Sequence, residues 1–188
     1  MKNLIQMLVV LTIIGIISGI SLSEVAIWAN PKISKNRAKE TEAAIYRVQP
    51  NAASFKKVEK ISLELYQVFD KNNSPIGYAF PYEGNGFQGK IRLIVGLNDS
   101  LTVISKVEVL EQVETPGLGT KITEKPFLNQ FIKLLVTPQI DWRKGSAPSK
   151  PNEIQTITAA TISSKSIVAI LNDGISKLRK LKQNGNFN

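Results

Sequence analysis

The sequence predicts an α+β fold: an N-terminal transmembrane helix followed by an antiparallel sheet packed with helices. Three observations predict it. A charge-free apolar stretch of 21 residues lies between Lys2 and Glu24. Hydrophobic residues then alternate in segments separated by turn clusters, the pattern of half-buried strands, and two later segments carry them at helical spacing. Strands early and helices late give the α+β class.

The first stretch is dominated by Leu4, Ile5, Leu8, Val9, Val10, Leu11, Ile13, Ile14, Ile16, Ile17, Ile20 and Leu22. At about 1.5 Å per residue it matches a bilayer core of about 30 Å, so it can span as one helix. A cleaved signal peptide is the rival. The apolar region is long for one, Lys2 is the only side-chain charge before it, and Ile27 and Ala29 make a poor cleavage site. Trp28 fits an interfacial anchor. Gly15 and Gly19, with Thr12 one turn earlier, form a small-residue stripe suited to close helix approach, a spacing that also arises by chance. The basic flank from Lys32 to Lys39 outweighs Lys2 and would hold the rest of the chain in the cytoplasm, but long translocated domains follow that rule poorly.

Residues 31–55 are polar and helix-tolerant and read as a stem. From Lys60 alternation begins: Ile61, Leu63 and Leu65, then Ile91, Leu93 and Val95, then Val103, Val107 and Val109. The clusters Asp70–Pro75 and Asn98–Ser100 read as turns between strands. Glu124 to Val136, with Phe127, Leu128, Phe131, Leu134 and Leu135, has helical spacing. The last periodic segment, Ser164 to about Lys182, places Ile167, Val168, Leu171, Ile175, Leu178 and Leu181 on one face, an amphipathic helix with Ser163 or Ser164 as cap.

Composition limits the chemistry. The 188 residues include no Cys and no His, which excludes disulfides, thiolate nucleophiles, Cys-ligated clusters, imidazole bases and ordinary zinc sites. The net charge is +9, from 24 Lys and Arg against 15 Asp and Glu. These basic residues are spread along the chain and aromatics are only 7%, so the charge reads as a solvated surface compatible with membrane lipid, not as a nucleic-acid interface. Redox chemistry in such a chain requires a borrowed organic cofactor.

Three motifs are candidates for such chemistry. Gly84-Asn-Gly86-Phe-Gln-Gly89-Lys90 satisfies GxGxxG and most of a Walker A string, but a strand follows it where both motifs need a helix, so it reads as a hairpin turn. Glu114-Thr-Pro-Gly117-Leu-Gly119 is an irregular loop between a strand and a helix, either a plain connector or a place where backbone approaches a ligand. Thr156-Ile-Thr158-Ala-Ala-Thr161-Ile-Ser163-Ser164 puts small residues and hydroxyls just before a helix start. That is either a simple cap or a phosphate site at the positive helix end.

Together, ETPGLG and, about forty residues later, the ATISS run before a terminal helix resemble the FMN-binding domain family, typified by the G subunit of Rnf-type ion-translocating complexes and the C subunit of the sodium-translocating NADH:quinone reductase. The likeness extends over the N-terminal span, Gly77-Tyr78, the Gly84 to Gly96 region, ETPGLG and the terminal helix; the short length and the wording of the run favour the Rnf G subunit. The resemblance implies a single-pass inner-membrane protein with residues 1–30 as span and flank, 31–55 as stem and 56–188 as an extracytoplasmic FMN-binding domain. It implies FMN joined by a phosphoester to Thr161, installed by a separate flavin transferase, and electron relay among the other membrane subunits of an Rnf-type ferredoxin:NAD oxidoreductase that moves Na⁺ or H⁺. The site residues it assigns are Glu114, Thr115, Gly117, Leu118 and Gly119 in the first loop and Thr158, Ala160, Thr161, Ser163 and Ser164 in the second, with no catalytic or metal-ligating residue. Two positions depart from the family pattern: Gln155 stands where an Asp is usual and Ala159 where a Gly is usual. A flavin-free assembly scaffold of the same fold and a stand-alone membrane flavoprotein reductase are the alternatives.

Overall fold

The computed structural model of the protein describes residues 2–59 and 61–185. Helix α1 (Lys2–Val48) contains the apolar stretch. The chain divides into two compact units, one up to Glu40 and one from Thr41 onward.

In the first unit the apolar side chains from Leu4 to Ile27 are exposed. Among the described residues this is the one helix long and apolar enough to cross a membrane. Two of its hydroxyls bond within the helix: that of Thr12 donates to Leu8 O and that of Ser21 to Ile17 O, both at 2.8 Å. Such bonds remove the cost of a hydroxyl in hydrocarbon. Lys32 Nζ lies 3.5 Å from the centroid of the Trp28 ring.

The second unit is built on a five-stranded antiparallel meander of β1 (Ser54–Lys57), β2 (Tyr66–Phe69), β3 (Pro75–Asn85), β4 (Lys90–Leu97) and β5 (Ile104–Glu111), paired in chain order. Both faces of the sheet are covered, so β4 is buried without interruption from Leu93 to Leu97. On one face Ile94, Ala79 and Val68 pack against Ala44, Ile45 and Val48 at the end of α1. On the other, Ile91, Leu93, Val95 and Leu97 join Phe80 and Val107 beneath the terminal helix α3 (Thr161–Gln183), which contributes Ile167, Val168, Ile170, Leu171, Ile175 and Leu178. Each aliphatic side chain buried this way is worth about 1.5–3 kcal/mol. Helix α3 crosses β3 closely at Gly174, where a Cβ would stand 2.8 Å from a Phe80 ring carbon.

The turns follow their side chains. Asp70 Oδ1 accepts the amides of Asn72 and Ser74, and Asn98 Oδ1 those of Thr102 and Val103. The β3–β4 hairpin closes on Gly86 N–H to Gly89 O at 2.6 Å, so the GxGxxG string is indeed a hairpin tip.

Two expected elements are corrected. Ile61, Leu63 and Leu65 are not a strand; Val58 N–H donates to Leu65 O and closes a loop before β2, while the three side chains still pack toward the core. The onset at Lys60 lies outside the described residues. Glu124–Val136 is not one helix either. A single turn, α2 (Lys125–Leu128), and a 3₁₀ turn (Asn129–Phe131) end before Lys133, whose φ is +60°. Leu134 O and Lys133 N–H are taken by Ile104 at the start of β5, so this stretch pairs with the sheet instead of continuing the helix. Beyond it, β6 (Asp141–Arg143) and β7 (Glu153–Gln155) form a short parallel pair that leads into α3.

Candidate functional site

The two loops singled out in the sequence converge on the start of α3. The link is Glu114, buried at 4% exposure. Its Oε1 accepts the amides of Phe87 (2.6 Å) and Gln88 (3.2 Å) at the β3–β4 hairpin tip, and its Oε2 accepts the Ser163 hydroxyl at 2.6 Å. One carboxylate therefore ties the hairpin, the ETPGLG loop and the first turn of α3 together with charge-assisted bonds. The packing around it is tight: a Cβ on Gly86 would lie 2.3 Å from Glu114 Oε1, and one on Gly119 2.8 Å from Glu114 Cβ. Gly117 contributes differently, by a φ of +73° in open space.

Helix α3 begins without a side-chain cap. Its cap position is Ala160, and Thr161 is the first helical residue. Ser164 N–H makes the first helical bond, to Ala160 O at 3.0 Å, so the amides of Thr161, Ile162 and Ser163 have no intrahelical carbonyl to reach. Neither expected capping serine caps. The Ser163 proton goes to Glu114, and the Ser164 hydroxyl donates to Ala160 O while accepting Ile157 N–H.

Beside this helix end opens a cavity of about 580 Å³. Of the residues named from sequence, Thr115, Leu118, Gly119, Thr158, Ala160, Thr161 and Ser163 line it. Glu114 and Ser164 are buried behind the wall, and Gly117 is exposed outside it. Phe87, Lys144, Gly145, Thr156, Ala159 and Ile162 also line the cavity; Phe87, Thr156, Ala159 and Ile162 lie within the motifs quoted from the sequence without being assigned to the site, and Lys144 and Gly145 were missed altogether. Phe87, 56% exposed at a hairpin tip, carried a signal in its isolation among glycines. Lys144 and Gly145 belong to no motif and arrive through β6, whose Trp142 ring is covered by Lys165 of α3 at 3.8 Å. The loop after them is fixed by Glu153, whose Oε2 takes the Ser149 amide at 2.9 Å and Arg143 Nε at 2.9 Å. The Ser149 amide, with help from Arg143 and Lys150, holds the Glu153 carboxyl below the usual glutamate range.

Residues 86–176 match the model of the FMN-binding domain family. This region is an FMN-binding domain. The chain is also similar along most of its length to the G subunit of the ion-translocating oxidoreductase complex of Methanosarcina acetivorans (25% identical, covering 93% of this chain and 94% of that one). It is 28% identical to the G subunit of the Na⁺-translocating ferredoxin:NAD⁺ oxidoreductase complex of Acetobacterium woodii, over 80% of each chain. Among solved structures, NqrC of Shewanella oneidensis shares the fold at a TM-score of 0.56 and 18% identity, over 71% of this chain and 74% of that one.

The residues present in the FMN-binding domain fit such a ligand. The cavity volume lies within the about 300–1,000 Å³ usual for cofactor sites. Phe87, Leu118 and Ile162 offer apolar surface for a flat ring, and the three free amides of α3 with its positive dipole end suit a phosphate. Thr156 Oγ1 is buried with no hydrogen-bond partner, an orphan that a polar ligand group would satisfy.

Proposed function

We propose that this chain is a membrane-anchored flavoprotein subunit that relays electrons through an FMN held by a phosphoester to Thr161, within an Rnf-type ferredoxin:NAD oxidoreductase that translocates Na⁺ or H⁺. The observation that carries the reading is the meeting of ETPGLG and the ATISS run at one cavity, with Thr161 at the open start of α3. The near full-length likeness to G subunits of such complexes supports the assignment to that assembly.

FMN supplies one- and two-electron redox chemistry that this chain's side chains lack. The residues do the rest. Thr161 offers the hydroxyl at the cavity's helix end, and the amides of Ile162 and Ser163 with the α3 dipole favour negative charge beside it. Glu114 holds the hairpin against α3, so Phe87 and Leu118 keep their places in the wall. Lys144 adds a cation to that wall. A covalent tether keeps the cofactor from escaping an exposed site, which accords with a domain outside the cytoplasm, anchored by the apolar part of α1. A separate flavin transferase would install it, and neighbouring membrane subunits and lipid would be its partners.

Thr161→Val keeps the shape and removes the hydroxyl. On coexpression with the flavin transferase, the wild-type band should fluoresce under ultraviolet light after denaturing electrophoresis and the variant band should be dark. A variant band as bright as wild type would overturn the assignment of Thr161.

A further inference from the structure

One buried hydroxyl in the cavity wall has no hydrogen-bond partner. The Ser163 proton is committed to Glu114 Oε2 and the Ser164 proton to Ala160 O. Thr158 is exposed, Thr115 is only half-buried and its hydroxyl accepts Gln88 Nε2 at 3.5 Å, and Thr161 is the proposed attachment point. Thr156 lines the same cavity, is 4% exposed, and its Oγ1 has neither donor nor acceptor partner. Its backbone is well fixed, since Thr156 N–H donates to Arg143 O at 2.8 Å. A buried unpaired hydroxyl costs free energy comparable to a lost hydrogen bond, so its presence beside the free amides of α3 calls for a ligand group to pair with it.

We propose that Thr156 is a phosphate-positioning residue: its hydroxyl donates a hydrogen bond to a non-bridging oxygen of the flavin phosphoester, complementing the free amides of α3. The inference rests on the proposed attachment at Thr161. A phosphodiester carries a full negative charge on two non-bridging oxygens and no proton to donate, so it needs donors. The α3 amides supply some of them, and the Ser163 hydroxyl cannot, because its proton is spent on Glu114. Thr156 supplies the uncommitted buried proton. Held by donors from both the helix and the preceding loop, the phosphate would be fixed in orientation and not merely tethered.

The test uses the full chain in a phosphate-free detergent, expressed with and without the flavin transferase, as wild type, Thr156→Val and Thr156→Ser. Without flavin, the Val variant should melt at or above the wild-type temperature, because the hydroxyl it loses has no partner. With flavin on Thr161, the Val variant should show a displaced ³¹P resonance and a smaller rise in melting temperature on flavinylation, and the Ser variant should restore both. Failure of the Val variant alone to accept flavin would support the same conclusion. An unchanged ³¹P resonance and an unchanged thermal rise in the Val variant would overturn the role of Thr156 while leaving the Thr161 attachment intact. A Val variant that is destabilised equally with and without flavin would assign Thr156 a purely structural role and also overturn it. Wild-type chain with no flavin on the Thr161 peptide would remove the attachment itself, and this inference with it.

Discussion

Ala159 has a φ of +67°, in the left-handed region, one residue before the cap of α3. The family pattern that the sequence resembles has glycine at this place, and the backbone explains the preference: an L side chain there costs about 1–2 kcal/mol, which glycine avoids at some cost in unfolded-state entropy. Ala159→Gly should therefore stabilise the domain by about 1 kcal/mol, raising its melting temperature by about 2–4 °C. A lower melting temperature in that variant would show that Ala159 is unstrained. Other single residues were less legible. Glu114 could be named from the ETPGLG string, but nothing in the string shows that its carboxylate reaches back to Phe87 and forward to Ser163, because those bonds join residues 27 and 49 positions apart. Thr156 carries no periodicity at all, and its importance emerges only from a count of donors and acceptors in the folded wall.

Among the elements, those with a repeating burial signal were readable and those made by local hydrogen bonding were not. The alternation Ile91, Leu93, Val95 is β4, and the spacing of Ile167, Leu171, Ile175 and Leu178 is α3, because each faces one continuous core. β1 is four residues at the sheet edge with largely exposed side chains, so burial imposed no pattern on Ser54–Lys57. Leu134 and Leu135 mimicked helical spacing, yet Leu134 is buried while its carbonyl serves β5 and Leu135 bridges to Val103. The β6–β7 pair is too short for periodicity and depends on Glu153. The Glu153 carboxyl is held below the usual range chiefly by the Ser149 amide, so it stabilises the folded form above the unfolded glutamate value and loses that contribution as pH falls through the depressed folded one. Wild type should thus melt above Glu153→Gln at pH 7, and the gap should narrow as pH drops below about 4. Thermal melts showing the same gap at pH 3 and pH 7 would contradict a charge-dependent role.

For the whole molecule, the sequence divided the chain into span, stem and domain, and the structure shows an apolar helical stretch with exposed side chains and a two-faced sheet domain from Thr41. Which side of the membrane the domain occupies is a matter of topology, not packing. The proposed extracytoplasmic placement predicts that Lys71→Cys, in an exposed turn of a chain with no other cysteine, reacts with a membrane-impermeant maleimide in intact cells. Labelling only after lysis would put the domain inside. Lys71 suits this test better than its neighbour Asn73, whose φ of +59° a cysteine tolerates less well. The central claim, an FMN on the first residue of α3, is tested most directly by fragmentation mass spectrometry of the tryptic peptide containing Thr161, taken from protein matured with its flavin transferase. The account predicts the mass of FMN less one water, localised to Thr161. An unmodified peptide, or flavin localised to Thr158 or Ser163, would contradict it.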